Sequence, residues 1–212
     1  MSHDDGDVLD ALSRRDVRRA LTLLMDRYGD AVYRFAYEMT HDEGLADEVR
    51  QQVFVEAFRD LERFEGRSAL RSWLFGITRH RALDASKARR RWWQRFKNES
   101  PDDDSGEMEL AGGGGGRPDG DLERTRIARV LEHCLEKLAP AAREAVVLRY
   151  QLELSYDEAA AATGDRVGTL QQRVARALPV LRKCVEARMT VPVVVSEEPR
   201  VVPPVAIARD VP

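Results

Sequence analysis

The sequence predicts an all-α fold: two small helical domains joined by a flexible, acidic, Gly-rich linker. Three observations predict it. Apolar residues recur at helical spacing in both halves, and no stretch shows the strict alternation of a strand. One internal segment, "NESPDDDSGEMELAGGGGGRPDGD", has neither pattern; acidic and rich in glycine, it cannot bury a core and reads as a linker. The 212 residues leave room for one ordinary domain or two small ones, and a hydrophobic content of 43% supplies real cores. The expected divisions are 1–97 for the first domain, 98–121 for the linker, 122–189 for the second domain and 190–212 for a disordered tail. Roughly the first 12 residues are expected to be flexible.

Each element has its own justification. Val17, Ala20, Leu21, Leu24 and Tyr28 share a helical face that Val32, Phe35, Ala36 and Met39 continue. Gly29–Asp30 predicts a joint or bend in that run, and "THDEG" a turn after it. Leu45, Val49, Val53, Phe54, Ala57, Phe58 and Leu61 form the stripe of the next helix. "RFEGRS" is a loop centred on Gly66. Leu70, Trp73, Leu74 and Ile77 then face inward on a helix that ends among arginines and two tryptophans. In the second half, Ile127, Val130, Leu131, Cys134, Leu135 and Leu138 make one buried face. Pro140 sits where a helix can start, running through Val146, Val147 and Leu148 to about Tyr150. "SYDE", Ser155 to Glu158, has the form of a capping box, and Gly164 can end the short helix it begins. A last helix starts near Val167, with a kink or break expected at Leu178 because Pro179 frees the carbonyl of Ala175. The tail alternates valine with proline, which opposes both helix and central strand.

Charge and composition narrow the function classes. The net charge of −3 hides an asymmetry. Arg79, Arg81, Lys87, Arg89, Arg90, Arg91, Arg95 and Lys97 form a basic block, and an acidic block that includes Asp102, Asp103 and Asp104 follows it. That pattern predicts a polyanion site in a chain that stays soluble. No apolar run approaches the ~18 residues of a membrane span, and the acidic N-terminus has no apolar core of a signal peptide. A cytoplasmic protein with no membrane insertion is expected. Cys134 and Cys184 form no CxxC pair and are expected to be reduced core residues. His3, His41, His80 and His133 are scattered, which predicts structural or surface roles and no metal centre. "GGGGG" lacks the following Lys-Ser/Thr and the preceding strand of a phosphate loop. No cofactor is expected.

A capped helix over Tyr156–Thr163, a turn at Gly164–Arg166 and a second helix from Val167 make a helix-turn-helix. In that motif the start of the second helix meets base edges in the major groove. Here Thr169, Leu170, Gln171, Gln172, Arg173 and Arg176 stand there, with Arg166 in the turn before them. Gln can pair bidentately with adenine, and Arg with guanine or phosphate. A three-helix core with a glycine joint and no DNA has the same pattern.

Together the halves resemble one family. The stretch from Leu24 to Arg91, whose most specific piece runs from Phe64 to Asp84, resembles region two of bacterial extracytoplasmic-function sigma factors. "LSYDEAA" with the following "GTLQQR" resembles their region four. The resemblance covers roughly Val17 to Glu186 and implies a transcription initiation factor that makes and breaks no bond. It implies binding of core RNA polymerase through the β′ clamp helices by Asp47, Glu48, Gln51, Gln52 and Val55, with region four near the β flap. It implies opening of the −10 promoter element by Glu65, Gly66, Arg67 and Ser68, a loop that captures an extruded base. Arg71, Arg79, His80, Lys87 and Arg90 would lie along the same DNA. The helix-turn-helix residues, Arg166 to Arg176, would read the −35 element. An anti-sigma protein is an expected partner. Trp92 and Trp93 could stack on bases or cap the bundle.

The sequence departs from the family at Gln52, where an acid is usual, at Arg50 inside the apolar stripe, at His80 in place of Asn, and at Gln171, where a basic residue is frequent. Each lost cation removes phosphate attraction, so weaker −35 recognition is expected. The alternative reading is a sigma-like regulator that binds polymerase or a partner without initiating transcription.

Overall fold

The computed structural model describes the backbone at residues 5–99 and 122–189, with side chains at 5–95 and 126–189. The expected linker and the Val/Pro tail lie almost wholly outside these residues. The N-terminal unit contains α1 (Gly6–Ser13), α2 (Val17–Thr40), α3 (Glu43–Asp60), a 3-10 turn (Leu61–Arg63) and α4 (Leu70–Glu99). The C-terminal unit contains α5 (Leu122–Glu136), α6 (Pro140–Val146), a π-helical turn (Val147–Gln151), α7 (Tyr156–Thr163) and α8 (Val167–Met189). No strand occurs among the described residues.

The first core forms because α2, α3 and α4 each bury an apolar face on the other two. Ala20, Leu24, Tyr28, Val32, Phe35 and Ala36 of α2 meet Ala46, Val49, Val53 and Ala57 of α3. Phe75 of α4 stands edge-on to Tyr28 and Phe35, with ring centroids 6.2 and 6.0 Å away. Burying each such side chain contributes about 1.5–3 kcal/mol. Asp16 and Asp42 cap α2 and α3 by accepting from the N–H of Arg19 and Leu45.

Several expectations are corrected here. No joint interrupts the chain at Gly29–Asp30: α2 runs unbroken and its buried face continues from Tyr28 to Val32. A mid-helix glycine costs about 1 kcal/mol, which this packing outweighs. The first residues are not all flexible: α1 buries Val8 and Ala11, and Asp5 and Asp7 hold Arg27 at 3.0 and 2.6 Å. Phe58, expected in the core stripe, is 45% exposed. Ile127 and Leu131 are equally exposed, so the buried face of α5 narrows to Cys134 and Leu135, with Val130 partly buried and Leu138 buried in the turn that follows the helix. Trp73 and Ile77 are only partly buried, while Phe75, Thr78 and Ala82 are core. No break occurs at Pro179, since α8 is one helix. Leu178, Pro179, Val180 and Ala175 are all on the exposed side, so the carbonyl freed by the proline faces water, while Ala177 and Leu181 stay buried.

Cys134 and Cys184 are not a pair of thiols but a disulfide joining α5 to α8. Packing of the two helices brings their Cα atoms to 5.8 Å across 50 residues of sequence, a juxtaposition no local spacing could reveal.

The two units also pack on each other. Helix α4 lies against α7, close enough that a Cβ on Gly76 would sit 3.4 Å from the carbonyl oxygen of Ala162. Helix α4 is therefore covered on two sides, by the N-terminal unit, where Phe75 meets Tyr28 and Phe35, and by α7.

Candidate nucleic-acid interface

The helix-turn-helix forms as its sequence dictates. Ser155 Oγ accepts from the Glu158 N–H at 3.2 Å, and Glu158 Oε2 accepts from the Ser155 N–H at 2.8 Å, a complete capping box. Gly164 takes φ +76, the left-handed conformation that turns the chain between α7 and α8. Leu170, Val174, Ala177 and Leu181 seat the inner face of α8 in the core. Leu170 is thus removed from the expected set of base-reading residues: it is 1% exposed and cannot reach a base. Arg166, Gln171, Gln172 and Arg176 are exposed along the outer face, and Thr169 is half-buried. Arg173 donates to Asp165 at 2.5 Å, which ties the start of α8 to the turn.

The loop before α4 turns at Gly66, φ +68, where a side chain would be strained. Glu65, Gly66 and Arg67 are exposed, and Arg67 Nε donates to Glu65 at 2.6 Å. Phe64 packs on Trp73, centroids 5.4 Å apart, and anchors the loop. Beside it opens a cleft of about 600 Å³, whose far wall is Leu9, Leu12, Ser13 and Arg15 of α1 and its following turn. Sequence reading missed this wall, because an eight-residue helix gives too little periodicity to register.

Along α4 the expected DNA residues separate into two groups. His80, Lys87 and Arg90 are exposed. Arg71 and Arg79 instead face the C-terminal unit. Arg71 donates to both carboxylate oxygens of Glu158 at 2.7 and 2.5 Å, and Arg79 Nε donates to Glu144 at 2.5 Å. Burial opposes the Glu158 charge, but hydrogen bonds from Arg71 and Ser155 outweigh it and hold the carboxyl at about 2. Beyond them Trp92 and Trp93 meet edge to face at 4.8 Å, roughly half-exposed among arginines.

A second contact between the units lies at the end of α2. Burial raises the Glu38 carboxyl, with Arg143 opposing and Glu132 and Glu136 adding to the rise. Burial and then Arg143 depress His41, whose Nε2 is buried without a hydrogen bond.

The opposite side of the N-terminal unit has different chemistry. On α3, Glu48, Gln51, Gln52 and Val55 are exposed, and Asp47 accepts from Arg50 at 2.5 Å and from Gln51 at 3.0 Å. The Arg50 guanidinium lies 5.7 Å from the centre of the Tyr33 ring. Arg50 therefore snorkels out of the apolar stripe. Beside these polar residues, Met25, Val55 and Phe58 are 47%, 53% and 45% exposed around a groove floored by Leu21 and Phe54. An exposed apolar patch rimmed by polar groups suits a protein partner. Phe58 was missed as a site residue because its periodicity reads as core, and Met25, off the expected core stripe, was assigned no role. Among the described residues no group of three or more His, Cys, Asp or Glu side chains is placed to hold a metal, and no helix is long and apolar enough to cross a membrane.

Comparison with known proteins gives each helical unit its own family match. The family described as Sigma-70 region 2 matches residues 24–94, and Sigma-70, region 4 matches 128–178. ECF RNA polymerase sigma factor SigC of Mycobacterium tuberculosis is 32% identical over 77% of this chain and 82% of its own. RNA polymerase sigma factor CnrH of Cupriavidus metallidurans is 32% identical over 88% of this chain and 98% of its own. Among solved structures, CnrH in complex with the cytosolic domain of CnrY covers 87% of this chain and 97% of its own at 27% identity, with TM-score 0.60. The Bartonella quintana sigma factor RpoE in complex with the anti-sigma factor NepR covers 78% of this chain and 96% of its own at 25% identity, with TM-score 0.59.

Proposed function

The chain belongs to the sigma-70 family and is a sigma factor of the extracytoplasmic-function type, and from that premise we propose how its surfaces divide the work of directing core RNA polymerase to promoters. The α2–α3 face, with Asp47, Glu48, Gln51, Gln52 and Val55 joined by Met25 and Phe58, docks on the β′ clamp helices. The loop Glu65–Ser68 and the cleft walled by α1 take the extruded base of the −10 element. Removing a base from the stack costs a few kcal/mol, which a shaped pocket offsets. His80, Lys87 and Arg90, with Arg71 and Arg79, lie along the phosphates of that element, where each cation replaces a counterion. Arg166, Thr169, Gln171, Gln172 and Arg176 read the −35 element, with the C-terminal unit near the β flap. Leu170 and Arg173 position the reading helix from behind. The protein acts by binding alone, in the cytoplasm, and an anti-sigma protein of the kind seen with RpoE covers one or both units.

The observation that carries this reading is the pairing of a fully capped helix-turn-helix with a separate helical unit, each on its own family match. Transcription from a promoter library with reconstituted holoenzyme tests it. Promoter-dependent transcripts with a shared upstream sequence are expected. Polymerase binding without transcripts would favour the regulator that does not initiate.

A further inference from the structure

The contact between the two units occupies the residues that the −10 element would need. Arg71 and Arg79 sit two turns apart on α4, and each is neutralised by a carboxylate of the other unit. The side chains of Arg71 and Glu158 are 15% and 21% exposed, and those of Arg79 and Glu144 are 21% and 10% exposed. These pairs are held in a seam, and Arg71–Glu158 has the two-pronged geometry by which a guanidinium grips a phosphate. Glu158 is fixed on its far side by the capping box, so it is presented rigidly. Between the two pairs, α4 and α7 pass so closely that a Cβ on Gly76 would already touch the Ala162 carbonyl oxygen at 3.4 Å, so a longer side chain there would push them apart.

We propose that this seam is an autoinhibitory clasp, in which Glu158 and Glu144 stand in for DNA phosphates on Arg71 and Arg79 and keep the free factor off the −10 element. The clasp leaves the outer face of α8 exposed, so it masks the downstream site selectively. It must open on a promoter. The names of the two elements place them about 25 base pairs apart, roughly 85 Å of B-form duplex at about 3.4 Å per pair. Units in backbone contact cannot occupy both at once. The roughly 20 residues between Glu99 and Leu122 can extend to about 70 Å, which together with the breadth of the two units spans that separation. Docking on polymerase can precede opening, because the Met25, Val55 and Phe58 face stays exposed in the clasped form.

The inference rests on the proposed DNA role of Arg71 and Arg79, and the test separates the two. Two variants of the full chain open the clasp by different means. Glu144→Gln with Glu158→Gln removes both charges while keeping the capping box, which accepts Gln. Gly76→Leu wedges α4 from α7 and changes no charge. Small-angle X-ray scattering of the free chain is expected to show a compact wild type and both variants extended. Affinity for a fork-junction DNA with a single-stranded segment of mixed sequence is expected to rise about tenfold in both, as for a competent state populated below about 10% in the wild type. An extended wild type overturns the clasp, and so do opened variants that bind DNA no better. Adding Arg71→Ala and Arg79→Ala to Gly76→Leu is expected to abolish the gain. If it does not, the DNA assignment of the arginines fails while the closed packing stands, and masking of these two residues is overturned.

Discussion

Loss of the Cys134–Cys184 bond should destabilise the C-terminal unit by an amount that follows from its loop. The bond closes 50 residues of sequence. In the chain-entropy treatment, a loop of that length restricts the unfolded chain by about 14 cal/mol/K, or about 4 kcal/mol at 25 °C. That is an upper figure, because residual structure in the unfolded chain lowers it. For a unit of this size each kcal/mol shifts the midpoint by about 4–8 °C, so even half of the effect moves it by about 10 °C. The assay is thermal unfolding by circular dichroism of the wild type with and without dithiothreitol, beside Cys134→Ser with Cys184→Ser. Reduced wild type and double variant should both melt lower, by similar amounts, and the double variant should ignore dithiothreitol. The N-terminal unit holds no cysteine, so its transition should move less, and only through loss of the packing between the units. A reductant-insensitive wild type, or equal melting of wild type and double variant, would refute the reasoning.

Three further outcomes are expected. Val55→Glu or Phe58→Asp, each on an exposed apolar site, should weaken binding to core polymerase about tenfold or more with little change in melting temperature, as read by surface plasmon resonance. Leu170→Ala should cost about 2–5 kcal/mol in a denaturant titration because it opens a cavity beneath α8, whereas Gln172→Ala should leave stability unchanged and alter only the upstream sequences selected from a promoter library. Burial and Arg143 make His41 harder to protonate in the folded chain than its ordinary value of 6.5. Its contribution is therefore present above pH 6.5 and lost as the pH falls below it. Stability measured from pH 7.5 to 5.5 should decline in the wild type and decline less in His41→Asn, which tolerates the left-handed backbone at φ +50.

Much of the site was legible from short-range rules. The capping box, the glycine turn and the polar outer face of α8 each depend on residues within a few positions of one another, so Ser155, Glu158, Gly164 and Gln172 announced themselves. The loop at Gly66 did so too. Leu170 went astray because a reading helix and a buried helix share one periodicity, and only the position of the core says which face is which. Phe58 failed for the converse reason: an apolar residue at helical spacing reads as core unless a neighbouring element is known to be absent.

The sequence by itself determined the all-α class, the helix-turn-helix and the division into two units, because helical periodicity, caps and turn residues act over a few positions along the chain. Only the tertiary structure decided that α1 completes the cleft beside Gly66, that Cys134 meets Cys184, and that Arg71 and Arg79 are clasped by Glu158 and Glu144. Those contacts join residues tens of positions apart, and their energy comes from desolvation and charge pairing that exist only once the helices have packed.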